Sequence, residues 1–297
     1  MGPELARRAD ALAAERTPFV AATVVRAQHP TSVRAGDSAI VLGDGSIEGF
    51  VGGACAESSV RLQALRVLET GEPLLLRIVP EGDPEEAAAE GAIVVRNDCL
   101  SGGALEIFLE PRLPAPRIAV VGETPIGFAL ASIGERLGYD VVVSAGQPEL
   151  DDDVALVVAS HGRDEERALA AALEAGLPYV GLVASRRRGA AVRDALHAAG
   201  VPDERLARLR TPAGLDIGAV TSEEIALSIL AEVVAARRAA PPMQGPVATA
   251  VDPVCGMAVA VGPQTPSLER DGRVVYFCGD GCRRAFESDP ARYAAHS

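Results

Sequence analysis

From Arg117 onward the chain alternates short β-branched runs with helical segments, and this rhythm restricts the fold more than any other feature. "RIAVVG" (117–122), "DVVVSA" (140–145), "VALVVAS" (154–160) and "PYVGLVA" (178–184) read as strands. Residues 125–137, 164–174 and 186–199 read as the helices between and after them, and 221–238 as a final helix. Strands joined through helices form a parallel sheet with helices on both faces, because a parallel neighbour is reached only by a long crossover. The last helix opens on Thr221 or Ser222, with Glu224 three residues after Thr221, in the pattern of a capping box.

The stretch before this domain follows a different pattern. Residues 4–16 suit a helix, 19–28 a strand, and 38–51 a hairpin turning at Asp44-Gly45, where positive φ is tolerated. A helix is expected over 54–70, ended by Gly71, then strands near 74–79, 92–96 and 104–109. The expected fold class is thus α/β, with an α+β domain over 1–113 and a parallel-sheet domain over 114–240. The prolines of "PRLPAP" (111–116) mark the boundary between them. A Pro- and Ala-rich linker (241–250) leads to a third module, 251–297. At that size a hydrophobic core alone is marginal, so a metal or a partner is expected to support it.

The tail reads "DPVCGM" and later "YFCGDGC". Cys255 sits on a turn, and Cys278 and Cys282 flank a strand-to-helix junction. Reduced thiols at this spacing suit a soft or borderline metal, and three of them leave a fourth place for His296, Met257, Asp280 or water. In the middle domain, "VVGETPIG" places Gly122 and Gly127 at a strand-to-helix turn, where backbone N–H groups favour phosphate. Thr124 stands where a dinucleotide fingerprint has its second glycine, and Ser144 ends the next strand where an acid is expected. His161 follows a strand end. Ser185 and Arg186, leading a run of three arginines, open a helix in a way suited to an anion. Gly214, Asp216 and Gly218 shape a loop before the final helix. In the first domain, "GFVGGACAES" places Gly52, Gly53, Cys55 and Glu57 where a helix begins.

A net charge of −13 argues against a nucleic-acid partner held through phosphates. The N-terminus lacks the apolar core of a signal peptide, and no run of 18 apolar residues could span a membrane. The expected location is the cytoplasm, where cysteines serve metals or chemistry rather than disulfides.

With "DPVCGM", "YFCGDGC", Phe286 and "DPARY", residues 251–293 resemble the YHS domain. That resemblance implies a heavy-metal-binding module, with copper, zinc or iron left open. "HPTSVRAGDSAIVLGDGSIEGFVGGACAES", "NDCLSGGALEIFLEP", "PYVGLVASRRR" and "TPAGLDIGAVTSEEIALSILAEV" resemble the XdhC/CoxI family over about residues 15–238. Ala54 stands where that family commonly has a third glycine, and its proline before Arg34 is absent. The resemblance implies a Rossmann-like second domain and a non-catalytic maturation factor. Such a factor binds molybdenum cofactor (molybdopterin) and delivers it to an apo-enzyme of the xanthine dehydrogenase or CO dehydrogenase type. It also makes a homodimer, and a sulfurase or cofactor-biosynthesis partner, reasonable expectations. The cofactor-binding residues so implied are Arg34, Gly52, Gly53, Cys55, Glu57, Cys99, Gly122, Gly127, His161, Ser185, Arg186 and Asp216. Cys255, Cys278 and Cys282 are the expected metal ligands, and no catalytic residue is assigned. Copper at the tail would suit service to a CO dehydrogenase. The alternatives are a Rossmann-fold NAD(P)-dependent oxidoreductase, disfavoured by Thr124 and Ser144, and a metal sensor or buffer.

Overall fold

The computed structural model describes residues 1–79, 92–96, 103–150, 152–160, 165–239, 246–270 and 272–296. The chain divides into two compact units, Met1–Pro114 together with Pro242–Ser297, and Ala115–Pro241.

The first unit begins with α1 (Pro3–Ala14), β1 (Phe19–Ala27), β2 (Ser38–Leu42), β3 (Ile47–Gly49), α2 (Ala54–Thr70), β4 (Leu74–Val79), β5 (Ala92–Arg96) and β6 (Leu105–Arg112). The strands form one sheet in the order β3-β2-β1-β6-β4-β5, antiparallel except for the pair β4 and β5. Alternation along β1 sets the two faces. Val20, Ala22 and Val24 turn to the core shared with Val60, Ala64 and Val67 of α2. Phe19 and Ala21 turn the other way, to Leu12 of α1. Strand β6 continues through Pro111 to Arg112, past the expected break. Pro111 lies beyond Leu109, the last residue paired with β4, where β6 has one neighbour only and tolerates a missing N–H. Helix α2 ends at Gly71, whose φ of 71° lets its N–H reach the Val67 carbonyl.

The second unit contains β7 (Arg117–Val121), α3 (Pro125–Arg136), β8 (Asp140–Ser144), β9 (Asp153–Val158), α4 (Glu165–Ala175), β10 (Tyr179–Leu182), α5 (Arg186–Ala198), α6 (Asp203–Leu206), β11 (Leu209–Arg210) and α7 (Ser222–Ala239). Its sheet is wholly parallel, in the order β11-β10-β9-β7-β8. Every residue of β9 is buried, as expected of a central strand covered on both faces. Ala129 and Leu130 of α3 and Ile229 and Leu230 of α7 fill one face. Leu169 and Leu173 of α4, with Val192 and Leu196 of α5, fill the other. The strand order reverses between β7 and β9, so the loops after those strands border the crevice where ligands bind in sheets of this type.

The tail folds as β12 (Thr249–Val251), β13 (Ala258–Ala260), β14 (Ser267–Arg270), β15 (Arg273–Tyr276) and α8 (Asp280–Ser288). Two hairpins and a helix enclose a small core in which the Phe277 and Phe286 rings lie 5.4 Å apart, centroid to centroid. The sequence suggests a module of its own. The structure also folds this module back against the first domain, with β13 beside α2. Helix α2 is accordingly buried well around its circumference, including Ser58, Ser59 and Gln63, a burial unusual for a helix with so many polar residues.

Candidate functional site

In the first unit the site begins at the turn that feeds α2. Gly52 has φ 147°, and a Cβ there would come within 2.6 Å of the Ala56 Cβ, so the fold itself requires glycine. Gly53 differs. Its φ of −76° suits any residue, and nothing lies within 4 Å of where its Cβ would be. Packing does not demand glycine at this helix N-cap, yet glycine leaves the backbone open to approach. Glycine offers no side-chain oxygen to cap the helix there, to which the first N–H groups would otherwise donate. Cys55, half-buried, lies in the first turn with Glu57; burial holds the Arg61 pKa below its ordinary value, and the nearby Glu57 opposes that shift. Arg34 is exposed on the loop between β1 and β2, with its N–H donating to Asp37 Oδ2 at 2.8 Å. Gly103 meets that loop's start, because a Cβ on it would strike the Pro30 carbonyl oxygen. Cys99 lies outside the described residues.

Cys55 faces the tail. Its Sγ lies 4.0 Å from Cys278 Sγ, although the two residues are 223 positions apart in the chain. Cys278 Sγ is also 3.7 Å from Cys255 Sγ and 3.6 Å from Cys282 Sγ. One ligand atom each from Asp252, Cys255, Cys278 and Cys282 fall within 4.8 Å of one another. Asp252, fully buried, holds the arrangement: Oδ2 accepts from the Cys278 N–H at 2.7 Å, and Oδ1 accepts from the Val254 N–H at 2.8 Å. Cys278 ends the approach to α8, and Cys282 lies in that helix's first turn. Gly279, the residue after Cys278, is the α8 N-cap, and it too offers no side-chain cap. A Cβ on Gly279 would come within 3.0 Å of the Ala54 Cβ, so glycine lets the N-termini of α2 and α8 abut.

The thiols influence one another. Hydrogen bonding with Cys278 holds the Cys255 thiol below its ordinary pKa. Hydrogen bonds to Cys255 and Cys55, then burial, drive the Cys278 thiol strongly upward. Burial pushes Cys282 up to about 12. Cys255 is thus the thiol inclined to ionise, beside two that resist. Among the expected fourth ligands, Asp280 instead pairs with Arg283 at 3.1 Å, and the carboxylate beside the sulfurs is Asp252.

In the second unit Gly122 has φ 121°, and a Cβ there would come within 2.6 Å of the Ala159 carbonyl oxygen. A Cβ at Gly127 would come within 2.5 Å of the Gly122 carbonyl oxygen. Both glycines therefore let β7, α3 and the loop after β9 crowd together. Thr124 caps α3, its Oγ1 accepting from the Gly127 N–H at 3.2 Å, which takes up a donor that a phosphate would use. Ser185 caps α5 by accepting from the Arg188 N–H, and Arg186 lies 3.8 Å from Asp216, both largely exposed. Ser185, Arg186 and Asp216 all line one open cleft of about 630 Å³, with Arg188, Gly214, Gly218 and Ser228. The loop on its far wall is firmly shaped. Gly214, at φ 97°, fits against Ser228, and its N–H donates to Glu232, which also accepts from the Tyr179 hydroxyl. His161 lies outside the described residues.

Comparison with known proteins follows the same divisions. Residues 12–79 match the XdhC and CoxI family, 118–233 the XdhC Rossmann domain, and 250–297 the YHS domain. The chain belongs to the XdhC and CoxI family. The uncharacterized protein YqeB of Escherichia coli (strain K12) is 30% identical over 254 residues, 76% of this chain and 45% of YqeB. This chain therefore spans less than half the length of that relative. The molybdenum cofactor insertion chaperone PaoD of the same organism is 24% identical over 264 residues, 73% of this chain and 83% of PaoD. A solved Bacillus halodurans chain described as a xanthine dehydrogenase aligns at 17% identity and a TM-score of 0.37, over 81% of this chain and 97% of that one.

In this XdhC chain two further residues emerge that sequence reasoning passed over. One is Asp252. The other is Glu165, at the start of α4, 1% exposed, which pairs with Arg188 at 2.6 Å and accepts from the Ser160 hydroxyl at 3.2 Å. Glu165 joins the loop after β9 to the helix that bears Arg186. An acid in the first turn of a helix reads as a solvated dipole partner, so nothing local marks it as buried. Among the described residues no helix is long and apolar enough to cross a membrane.

Proposed function

We propose that this XdhC chain carries molybdenum cofactor to an apo-enzyme of the xanthine dehydrogenase or CO dehydrogenase type, acting as a maturation factor rather than a catalyst. The observation that carries this reading is the open, uncapped start of α2. Gly53 leaves its backbone open to approach, the N–H groups of the first turn suit a phosphate or pterin oxygen, and the Cys55 thiol lies in the same turn. The cofactor supplies molybdenum and the dithiolene that binds it; the chain's share is to hold the anionic end and shield the metal. Likeness to PaoD, itself named a molybdenum cofactor insertion chaperone, supports the reading. In the Rossmann domain, the cleft with Ser185, Arg186 and Asp216 is by itself suited to an anionic ligand such as a nucleotide. Nicotinamide remains disfavoured, because Thr124 uses the Gly127 N–H.

The test is the molybdenum and pterin content of protein purified from a cofactor-making host. Both should be present in the wild type and lost in Cys55→Ser. Absence of both from the wild type would refute the carrier reading. The YHS tail is read as a metal site, with Cu(I) favoured because thiolates select soft ions. Failure of the full chain to take up Cu(I) would end that choice. A second reading, a metal buffer, is favoured by the sulfur cluster alone. Deletion of 239–297 distinguishes the two, because a carrier keeps its cofactor and a buffer loses its only cargo.

A further inference from the structure

We infer that Cys55 is the fourth thiol of the tail's metal site, so that a single bound ion fastens the start of α2 to the YHS module. The inference rests on reading Cys255, Cys278 and Cys282 as metal ligands. Zinc–sulfur bonds of about 2.3 Å place the sulfurs of a regular tetrahedron about 3.8 Å apart. The separations from Cys278 to Cys282, Cys255 and Cys55, 3.6, 3.7 and 4.0 Å, bracket that value along the three edges that meet at Cys278. Cys55 lies just outside the group of Asp252, Cys255, Cys278 and Cys282, so coordination requires its sulfur to swing toward Cys255 and Cys282 as the ion binds. Asp252 is the other group at hand. Each of its oxygens already accepts a backbone N–H from a cysteine-bearing loop, which gives Asp252 a positioning role, and a thiolate is the softer donor for the fourth place.

Electrostatics points the same way. Helices α2 and α8 meet N-terminus to N-terminus, at Ala54 and Gly279, and neither end has a side-chain cap. Each end carries about half a positive charge, so their meeting is unfavourable unless anions lie between them. Four thiolates around a d10 ion such as Zn(II) or Cu(I) supply that negative charge, each thiol giving its proton to solvent as it coordinates. A consequence follows for the carrier role. One thiol cannot complete a four-sulfur site and touch a cofactor at once, so metal on the tail closes the glycine turn, and cofactor loading at Cys55 requires the tail to let go.

The test uses the full reduced chain and Co(II), a coloured substitute whose sulfur-to-metal absorption rises with the number of thiolates. The wild type should show four-thiolate intensity. Cys55→Ser should lose about a quarter of it, as should Cys255→Ser, with affinity down about tenfold or more in each. In parallel, Zn(II) should slow alkylation of Cys55 in the wild type along with that of Cys278, mapped by mass spectrometry. Unchanged Co(II) absorption and affinity in Cys55→Ser, or Cys55 alkylating at its metal-free rate while Cys278 is protected, would overturn the inference alone. No Co(II) or Zn(II) uptake by the wild type would overturn it together with the metal reading of the tail. Neither titration involves molybdenum or pterin, so the carrier reading is judged separately.

Discussion

Replacing Asp252 with asparagine tests how the tail holds its thiols in place. The carboxylate is completely buried and spends one oxygen on the Cys278 N–H and the other on the Val254 N–H. Asparagine keeps one oxygen and turns the other into an NH2 group, which cannot accept from a backbone donor. One of the two N–H groups then loses its acceptor, and the other exchanges a charged acceptor for a neutral one. An orphaned buried donor costs about 1–3 kcal/mol and the weakened bond up to about 1 kcal/mol more, so about 2 kcal/mol is expected overall. The chain has two compact units, so a single melting curve would blur the effect. Hydrogen exchange of the metal-free chain, read on peptides covering Cys278, isolates it. A loss of 2 kcal/mol speeds local opening about 30-fold, and metal affinity should fall about 10- to 100-fold because the ligand loops are no longer aimed. Asp252→Ala, which strands both donors, should be worse by a further factor of ten or so. If Asp252→Asn leaves exchange within threefold of the wild type and metal affinity unchanged, Asp252 does not organise the site.

Four further expectations concern the Rossmann domain. Gly214→Ala forces a side chain to φ 97° and into Ser228, so it should cost about 2 kcal/mol or more and lower the melting temperature of that unit. Arg188→Met should destabilise by about 2 kcal/mol, below the usual range for a broken buried pair because Arg188 is 40% exposed, and adding Glu165→Gln should recover most of it in a double-mutant cycle. Thr221→Ala removes the α7 cap, whose Oγ1 accepts from the Glu224 N–H at 3.2 Å, at a cost of about 1 kcal/mol in denaturant titration. At the same cap the N–H groups of Thr221 and Val220 hold the Glu224 carboxyl below its usual 4.5. A depressed folded-state pKa gives stability that is present above 4.5 and lost as pH falls through the lower value. The difference in melting temperature between wild type and Glu224→Gln should therefore be full at neutral pH and shrink below pH 4.5.

What the sequence made legible follows from the range of the forces involved. The helix at 54–70 and the strands at 74–79 and 92–96 are where local periodicity and the Gly71 stop place them, because both signals act within a turn or two. The parallel sheet was legible for the same reason. Helix α6 and strand β11 were not, since four and two residues are too short to carry a period. Asp252 had a readable signal: an Asp two residues before Val254 invites a side-chain bond to that N–H, the geometry of an Asx turn. Its second bond, to Cys278, depends on a loop 26 positions away and has no local trace. The Ala54–Gly279 contact is the extreme case. Read alone, Ala54 is a departure from the family's third glycine, and Gly279 is one glycine among several in "FCGDGC". Together they are complementary: the methyl group at one position is accommodated because the other has no side chain. The sequence shows a cysteine on a glycine turn and three cysteines in a small tail as two separate puzzles. Tertiary packing brings the Cys55 sulfur against Cys278, at the edge of the tail's cysteine group, and this adjacency is what makes the two puzzles one question.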